Sequence, residues 1–274
     1  MKWTHRIEWA PLWCFQKILR HISVDHASDA GAWCGRFFYR IGIRKKVTIT
    51  NLVAAGMASD AVAGKRLGRE VYENLGRTFF ELLVLRNLDE KIFRVEIPSG
   101  FEETVKNGAI LISAHLGNWE LMGKALVQRE IRLAVVVRRQ SNLLIDRLIN
   151  EERKSCGMEI VFDDEPLKIR RLIGEHYCIG LLSDQDFGNN TVPVEFFGRK
   201  CFAPAGPEFL MLKYQLPVFM CLARRIEKYN HVFKIEPLEV TQNFTRLYTA
   251  KIEQAIRKNP GQWFWAHKRW KERP

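Results

Sequence analysis

His115 and Glu120, in the run His-Leu-Gly-Asn-Trp-Glu, have the clearest capacity for chemistry in this chain. An imidazole, with an ordinary pKa of ~6.5, takes up and returns a proton near neutral pH. A carboxylate that accepts from one ring nitrogen fixes the tautomer. The other nitrogen is then free to take a proton from a hydroxyl. Gly117 allows the tight turn that would bring the two groups to one point. Glu120 also reads as a first-turn helix residue favoured by the helix dipole, so the spacing alone leaves both readings open. No G-x-S-x-G is present, so a serine acyl-enzyme of the hydrolase type is not indicated. There is no P-loop, no G-x-G-x-x-G, no C-x-x-C and no His/Cys spacing suited to a metal. Transfer directly to a hydroxyl activated by His115, without a cofactor or metal, is the simpler chemistry.

The residues around this pair predict what must position it. Residues 109–114 read as a buried strand ending just before His115, and residues 118–128 as a helix. The alternation continues: strands at 133–137, 158–162 and 177–182, and helices at 142–156 and 166–175. Further strands are expected at 217–222 and 231–235, and a helix at 244–258. Short apolar strands separated by helices predict an α/β fold with a mostly parallel central sheet flanked by helices. Up to about residue 100 the pattern is helical, with Trp33, Phe37, Phe38 and Ile41 on one side of one stretch. Ligands of such sheets sit beyond the carboxyl ends of the strands. Two more of those ends carry charge, Arg138-Arg139 and Ser183-Asp184-Gln185-Asp186. Solvated loop charge is the plainer account of each, but three in succession on one edge point to a site.

Lys and Arg number 43 against 31 acidic residues, a net charge of +12 that draws the chain to an anionic partner. No recognised RNA- or DNA-binding motif accompanies it. Cys14, Cys34, Cys156, Cys178, Cys201 and Cys221 read as free thiols of a reducing compartment. No apolar run is long enough to span a bilayer. Residues 1–24 stand apart from the remainder, 25–274. They hold Trp3, Trp9 and Trp13 among Lys2, Arg6 and Lys17, and Leu12, Phe15, Leu19 and Ile22 recur at helical spacing. Such a helix lies in a membrane interface or packs on the core, and the segment itself allows either.

His115-Leu-Gly-Asn-Trp-Glu120 after an apolar strand resembles the H-x4-D/E motif of glycerolipid acyltransferases. The wider resemblance, over most of the chain, is to the late acyltransferases of lipid A biosynthesis, which acylate Kdo-lipid IVA. Arg138 and Asn142 are similar to that family's Arg-Pro-x-x-Asn segment. Asp184-Gln-Asp-Phe-Gly188 resembles its Asp-Gln-Asp-Tyr-Gly, and Val192–Gly198 its segment ending Phe-Phe-Gly. Residues 260–271 resemble its Pro-x-Gln-Trp-x-Trp-x-His-x-Arg-Trp-Lys. Arg139 replaces the usual proline, and residues 201–206 keep only part of a Pro-Thr-Ala-Thr-like stretch.

The resemblance implies an acyl thioester donor, usually acyl carrier protein, as co-substrate and no cofactor. The acceptor is then a hydroxyl of a lipid A precursor at the cytoplasmic face of the cell inner membrane. Another lipid is the alternative: a phosphatidylinositol mannoside, a lysophospholipid or an aminolipid. His115 is implied as the base and Glu120 as its orienting partner. Arg138 would stabilise the thioester oxyanion or hold a phosphate. Asn142, Asp184, Asp186 and Arg269 complete the substrate-binding set. The anionic partners are then the membrane surface, the lipid and the carrier protein, and nucleic acid is not among them.

Overall fold

A computed structural model describes residues 3–186, 188 and 190–270, without the side chains of residues 3 and 4. The chain opens with four helices, α1 (Trp3–Leu19), α2 (Val24–Ile41), α3 (Lys45–Ala54) and α4 (Ala61–Leu83). Local chemistry fixes their ends. Ser23 caps α2 by accepting from the His26 N–H, and α2 stops at Gly42 in the left-handed region. Asp60 caps α4 by accepting from the N–H groups of Val62 and Ala63.

The α/β part follows: β1 (Phe93–Glu96), α5 (Phe101–Val105), β2 (Ile110–Ser113), α6 (Trp119–Val127), β3 (Leu133–Val137), α7 (Leu143–Ser155), β4 (Glu159–Phe162), α8 (Pro166–Gly174) and β5 (Cys178–Leu182). Then come β6 (Thr191–Phe196), β7 (Arg199–Pro204), α9 (Gly206–Tyr214), β8 (Val218–Arg225), β9 (His231–Pro237) and α10 (Phe244–Lys258). Seven strands form one sheet in the order β1-β9-β8-β2-β5-β3-β4. All neighbours are parallel except β8 and β9. An apolar cluster packs on each face of the sheet. Buried on both faces, β2 is apolar throughout its first three residues, as a central parallel strand requires.

The alternation expected between residues 109 and 182 is present, element for element, and so is the N-terminal helical section. The departures from expectation lie outside that stretch. Phe93–Glu96, read as helical, is an edge strand paired with β9; four residues, two of them charged, carry no clear period. After β5 the chain makes an antiparallel hairpin, β6–β7, where no strand was expected; Pro193, a residue unsuited to the middle of a sheet, lies within β6.

The N-terminal helix packs on the core along one side. Trp9, Leu12, Phe15 and Leu19 pack against an apolar cluster, while Ile7, Trp13 and Ile18 point outward. It is also tied down by polar contacts. Glu152 of α7 is buried and accepts from Gln16 at 3.1 Å and from Arg86 at 2.9 Å, and pairs with Arg20. Among the described residues no helix is long and apolar enough to cross a membrane.

Candidate active site

The pairing of β2 with β5 builds the site. Ser113 stands opposite Leu182, and the Ser183 N–H donates to the Ser113 carbonyl at 2.9 Å. Each strand then runs on to one polar residue, His115 and Asp184. His115 Nδ1 lies 2.9 Å from Asp184 Oδ1. The second carboxylate oxygen, Oδ2, accepts from the Trp263 indole N–H at 2.7 Å. Burial alone would raise the Asp184 carboxyl, but the neighbouring imidazole and these hydrogen bonds hold it below the usual carboxylate range. An ionised Asp184 fixes Nδ1 as the donor and leaves Nε2 as the nitrogen that can accept a proton. The His115 side chain remains 21% exposed while Asp184 is fully enclosed, so solvent or a substrate reaches only the ring.

A C-terminal segment completes this arrangement. The Phe264 N–H donates to the His115 carbonyl, and the Gly117 N–H to the Gln262 carbonyl, both at 3.1 Å. These bonds stitch the segment to the His115 loop and seat the indole on Asp184. Gly117 has φ +63°, and a Cβ there would lie 2.5 Å from the Ala223 carbonyl oxygen, so only glycine fits. Asn118 caps α6 and donates to Glu81 Oε2 at 2.6 Å. Glu81 is itself buried and forms a two-point pair with Arg225, at 2.8 and 2.9 Å. The loop therefore rests on a closed ionic network.

The structure gives Glu120 a different partner from the one expected. Its carboxylate accepts two bonds from Arg153, at 2.8 and 2.6 Å, and one from the Trp119 indole at 3.0 Å. Burial raises its pKa, and the Arg153 charge and bonds outweigh that and lower it. The contact to imidazole Nδ1 that sequence assigned to Glu120 is made by Asp184. Glu120 reaches the imidazole's surroundings through Trp119, whose ring meets His115 edge-on with centroids 5.0 Å apart.

The other expected site residues divide. Asp186 follows Asp184 closely, and its Oδ1 accepts from the Gly188 N–H. Arg138 is exposed just beyond β3, the strand next to β5. Asn142 caps α7 and donates to the His5 carbonyl and Glu8, contacts that anchor α1. Arg269 is buried, donates to the Phe202 carbonyl and lies over the Phe196 ring, 4.9 Å from its centroid. Both side chains thus hold the fold. Phe187 and Lys271, which belong to the motifs, lie outside the described residues. Among the described residues no His, Cys, Asp and Glu cluster suits a metal.

An apolar cavity opens beside the pair. Trp119, Glu120 and Arg153 line it, and it extends between α6 and the sheet past Leu126, Leu133 and Met158. On its sheet wall Gly180 leaves room that any side chain would occupy.

The sequence pattern of the bacterial lipid A biosynthesis acyltransferases matches residues 3–272. The chain belongs to this family. A phosphatidylinositol mannoside acyltransferase of Mycobacterium tuberculosis (strain H37Rv) is 27% identical over 218 residues, covering 73% of this chain and 66% of the relative. That of Mycolicibacterium smegmatis is 29% identical over 117 residues, covering 41% of this chain and 38% of the relative. The match thus spans just under two thirds of the length of the mycobacterial protein. Among the groups around His115 in this lipid A acyltransferase family member, Trp263, which partners Asp184, and Arg153, which partners Glu120, had been given no role at the site from sequence. The first stands in the C-terminal motif, residues 260–271, as one of several indoles, and the second is one more basic residue of a helix.

Proposed function

We propose that the protein transfers a fatty acyl chain from an acyl thioester, acyl carrier protein being the donor, to a hydroxyl of a lipid A precursor. The reaction takes place at the cytoplasmic face of the inner membrane. The observation that carries this reading is the His115–Asp184–Trp263 relay beside an apolar cavity. His115 Nε2 removes the acceptor hydroxyl proton as the oxygen attacks the thioester carbonyl. The tetrahedral intermediate collapses, the C–S bond breaks, and the imidazolium returns the proton to the leaving thiolate. Asp184 holds the tautomer and stabilises the transient imidazolium, as the buried carboxylate of a hydrolytic triad does. Glu120 is a positioning residue acting through Trp119. The cavity, apolar and lined in part by Trp119, suits the hydrocarbon chain of the donor. Arg138, exposed at the next strand end, is suited to the thioester oxyanion or a lipid phosphate.

The names of the mycobacterial relatives favour a second acceptor, a phosphatidylinositol mannoside, for the same chemistry. The test offers purified protein labelled acyl carrier protein with Kdo-lipid IVA, a phosphatidylinositol mannoside or a lysophospholipid. Acylation of the first supports the main reading and of the second the alternative. Turnover of the lysophospholipid only would exclude both. Incubation without acceptor should leave no label on the denatured protein, because direct transfer forms no acyl-enzyme.

A further inference from the structure

Helix α2 is built inside out for a protein that meets only water. Gly31, Gly35 and Tyr39 recur every four residues on its inner face, with Ala27 beside them, and all are buried. A Cβ on Gly31 would lie 2.4 Å from the Gly76 carbonyl oxygen, and one on Gly35 1.9 Å from that of Tyr72. The inner face is therefore a small-residue seam pressed on α4. Two residues further round, about 200° away, Trp33, Phe37 and Ile41 form the opposite face. Trp33 is 65% exposed, and Phe37, Phe38, Ile41 and Ile43 are exposed with it. Trp33 and Phe37 stack with planes 7° apart. A helix that turns its largest apolar side chains outward and its smallest inward marks a surface made for another apolar phase.

The charge on the same stretch selects that phase. From residue 33 to residue 46 there are five basic residues, Arg36, Arg40, Arg44, Lys45 and Lys46, and no acidic one. A second copy docked through this face by two-fold symmetry would bring these cations together. Lipid phosphates complement them, and aromatic rings with basic neighbours are the composition of a headgroup-level face. The inner face adds a link to the site. Ser28 donates to Glu81 at 2.6 Å, and Glu81 accepts from Asn118 in the loop that carries His115.

We propose that the outer face of α2, Trp33 to Lys46, is the surface by which the protein seats itself on an anionic bilayer, with α1 in a minor part. The lipid-acceptor reading enters only in choosing a bilayer as the occupant. Binding is measured without turnover, so either reading can fail alone.

The experiment is co-sedimentation with vesicles of pure phosphatidylcholine or of phosphatidylcholine with about 40% phosphatidylglycerol, which carry a negative surface potential. The wild type should bind the anionic vesicles more tightly, and the difference should shrink with salt. The variant Trp33→Gln/Phe37→Gln/Ile41→Gln should lose about 100-fold in partitioning, as expected for three half-exposed apolar side chains leaving the interface. Phe37→Gln alone should lose roughly fivefold, and circular dichroism melts should show both variants folded. Trp13→Gln/Ile18→Gln on α1 should lose less than the α2 triple variant. Unchanged binding in the folded α2 variants overturns the proposal, as does a larger loss from the α1 variant. A wild type that ignores vesicles but forms a dimer dispersed by the α2 substitutions also overturns it.

Discussion

His115 and Asp184 sit at the ends of neighbouring parallel strands, and the imidazole Nδ1 is 2.9 Å from the carboxylate Oδ1. Trp263 donates to the other oxygen at 2.7 Å, so both oxygens of Asp184 must accept. In Asp184→Asn one of the two positions becomes an NH2 donor. Either the indole N–H loses its buried acceptor, or the imidazole is driven to the opposite tautomer. Turnover should fall by about 10²–10⁴-fold with little change in KM, as for loss of a triad carboxylate. Steady-state kinetics and the ring-nitrogen chemical shifts of His115 test this together. Wild-type turnover in the variant would remove Asp184 from the relay, whichever tautomer the chemical shifts report.

Glu120 and Arg153 form a buried two-point ion pair, and this separates their structural from their catalytic weight. Glu120→Gln leaves the Arg153 guanidinium enclosed without its counter-charge, at a cost of about 3–5 kcal/mol in unfolding free energy. Glu120→Leu/Arg153→Met removes both charges and should recover most of that stability. It should also regain a large part of the turnover lost in the single variant, because the imidazole is held by Asp184. Urea melts and kinetics on the three proteins decide it. A double variant as stable as wild type and still inactive would show that Glu120 matters to turnover beyond its pairing with Arg153, through Trp119 or directly.

The strands that place His115 and Asp184 were legible because their apolar runs stop at punctuating residues, Gly117 on one side and a charged run on the other. Which carboxylate meets the imidazole was not. His115 and Asp184 are 69 residues apart and are joined by sheet register, whereas Glu120 is a near neighbour in sequence that points to Arg153. The same limit applies to Asn142 and Arg269. Each occurs in a motif, yet Asn142 is engaged by α1 and Arg269 by Phe202 and Phe196, contacts made across the fold. Periodicity showed Trp33, Phe37, Phe38 and Ile41 to share one side of a helix. Only the glycine seam against α4 shows that the side faces outward.

His231 lies beneath the site, with Nε2 3.3 Å from Arg225 and 3.7 Å from Glu81. Burial and the Arg225 charge lower its pKa to about 4, against the opposing pull of Glu81. The ring is therefore neutral at pH 7 and accepts from Arg225 rather than forming an ion pair with Glu81. The unfolded chain binds this proton below about 6.5, while the folded protein refuses it until about pH 4. Stability is thus unaffected by this group above pH 6.5 and falls as pH drops from 6.5 to 4, by about 3 kcal/mol in all. Urea melts across that range should show the decline, and His231→Gln, which keeps an acceptor for Arg225, should flatten it. An identical decline in the variant would place the proton elsewhere.

The cavity beside Glu120 makes the last prediction, about the donor chain. Gly180 sits inside β5 between neighbours that its missing side chain would touch. A Cβ there would lie 3.4 Å from both Leu133 Cδ1 and Val135 Cγ1, ordinary contact without a clash. Valine is favoured in a buried strand, so Gly180→Val should fold and project two methyl groups toward the cavity. An acyl chain that runs past this point would then meet the added atoms, whereas one that ends before it would not. The ratio of kcat/KM for long over short acyl thioesters should fall at least tenfold, since each displaced methylene is worth about 0.8 kcal/mol. The value for the shortest donor should stay close to wild type, because His115, Asp184 and Trp263 are untouched. Kinetics with donors of graded chain length give the result directly. A uniform loss at every length would mean that the substitution disturbs the sheet, and no loss at any length would mean that the chain lies elsewhere.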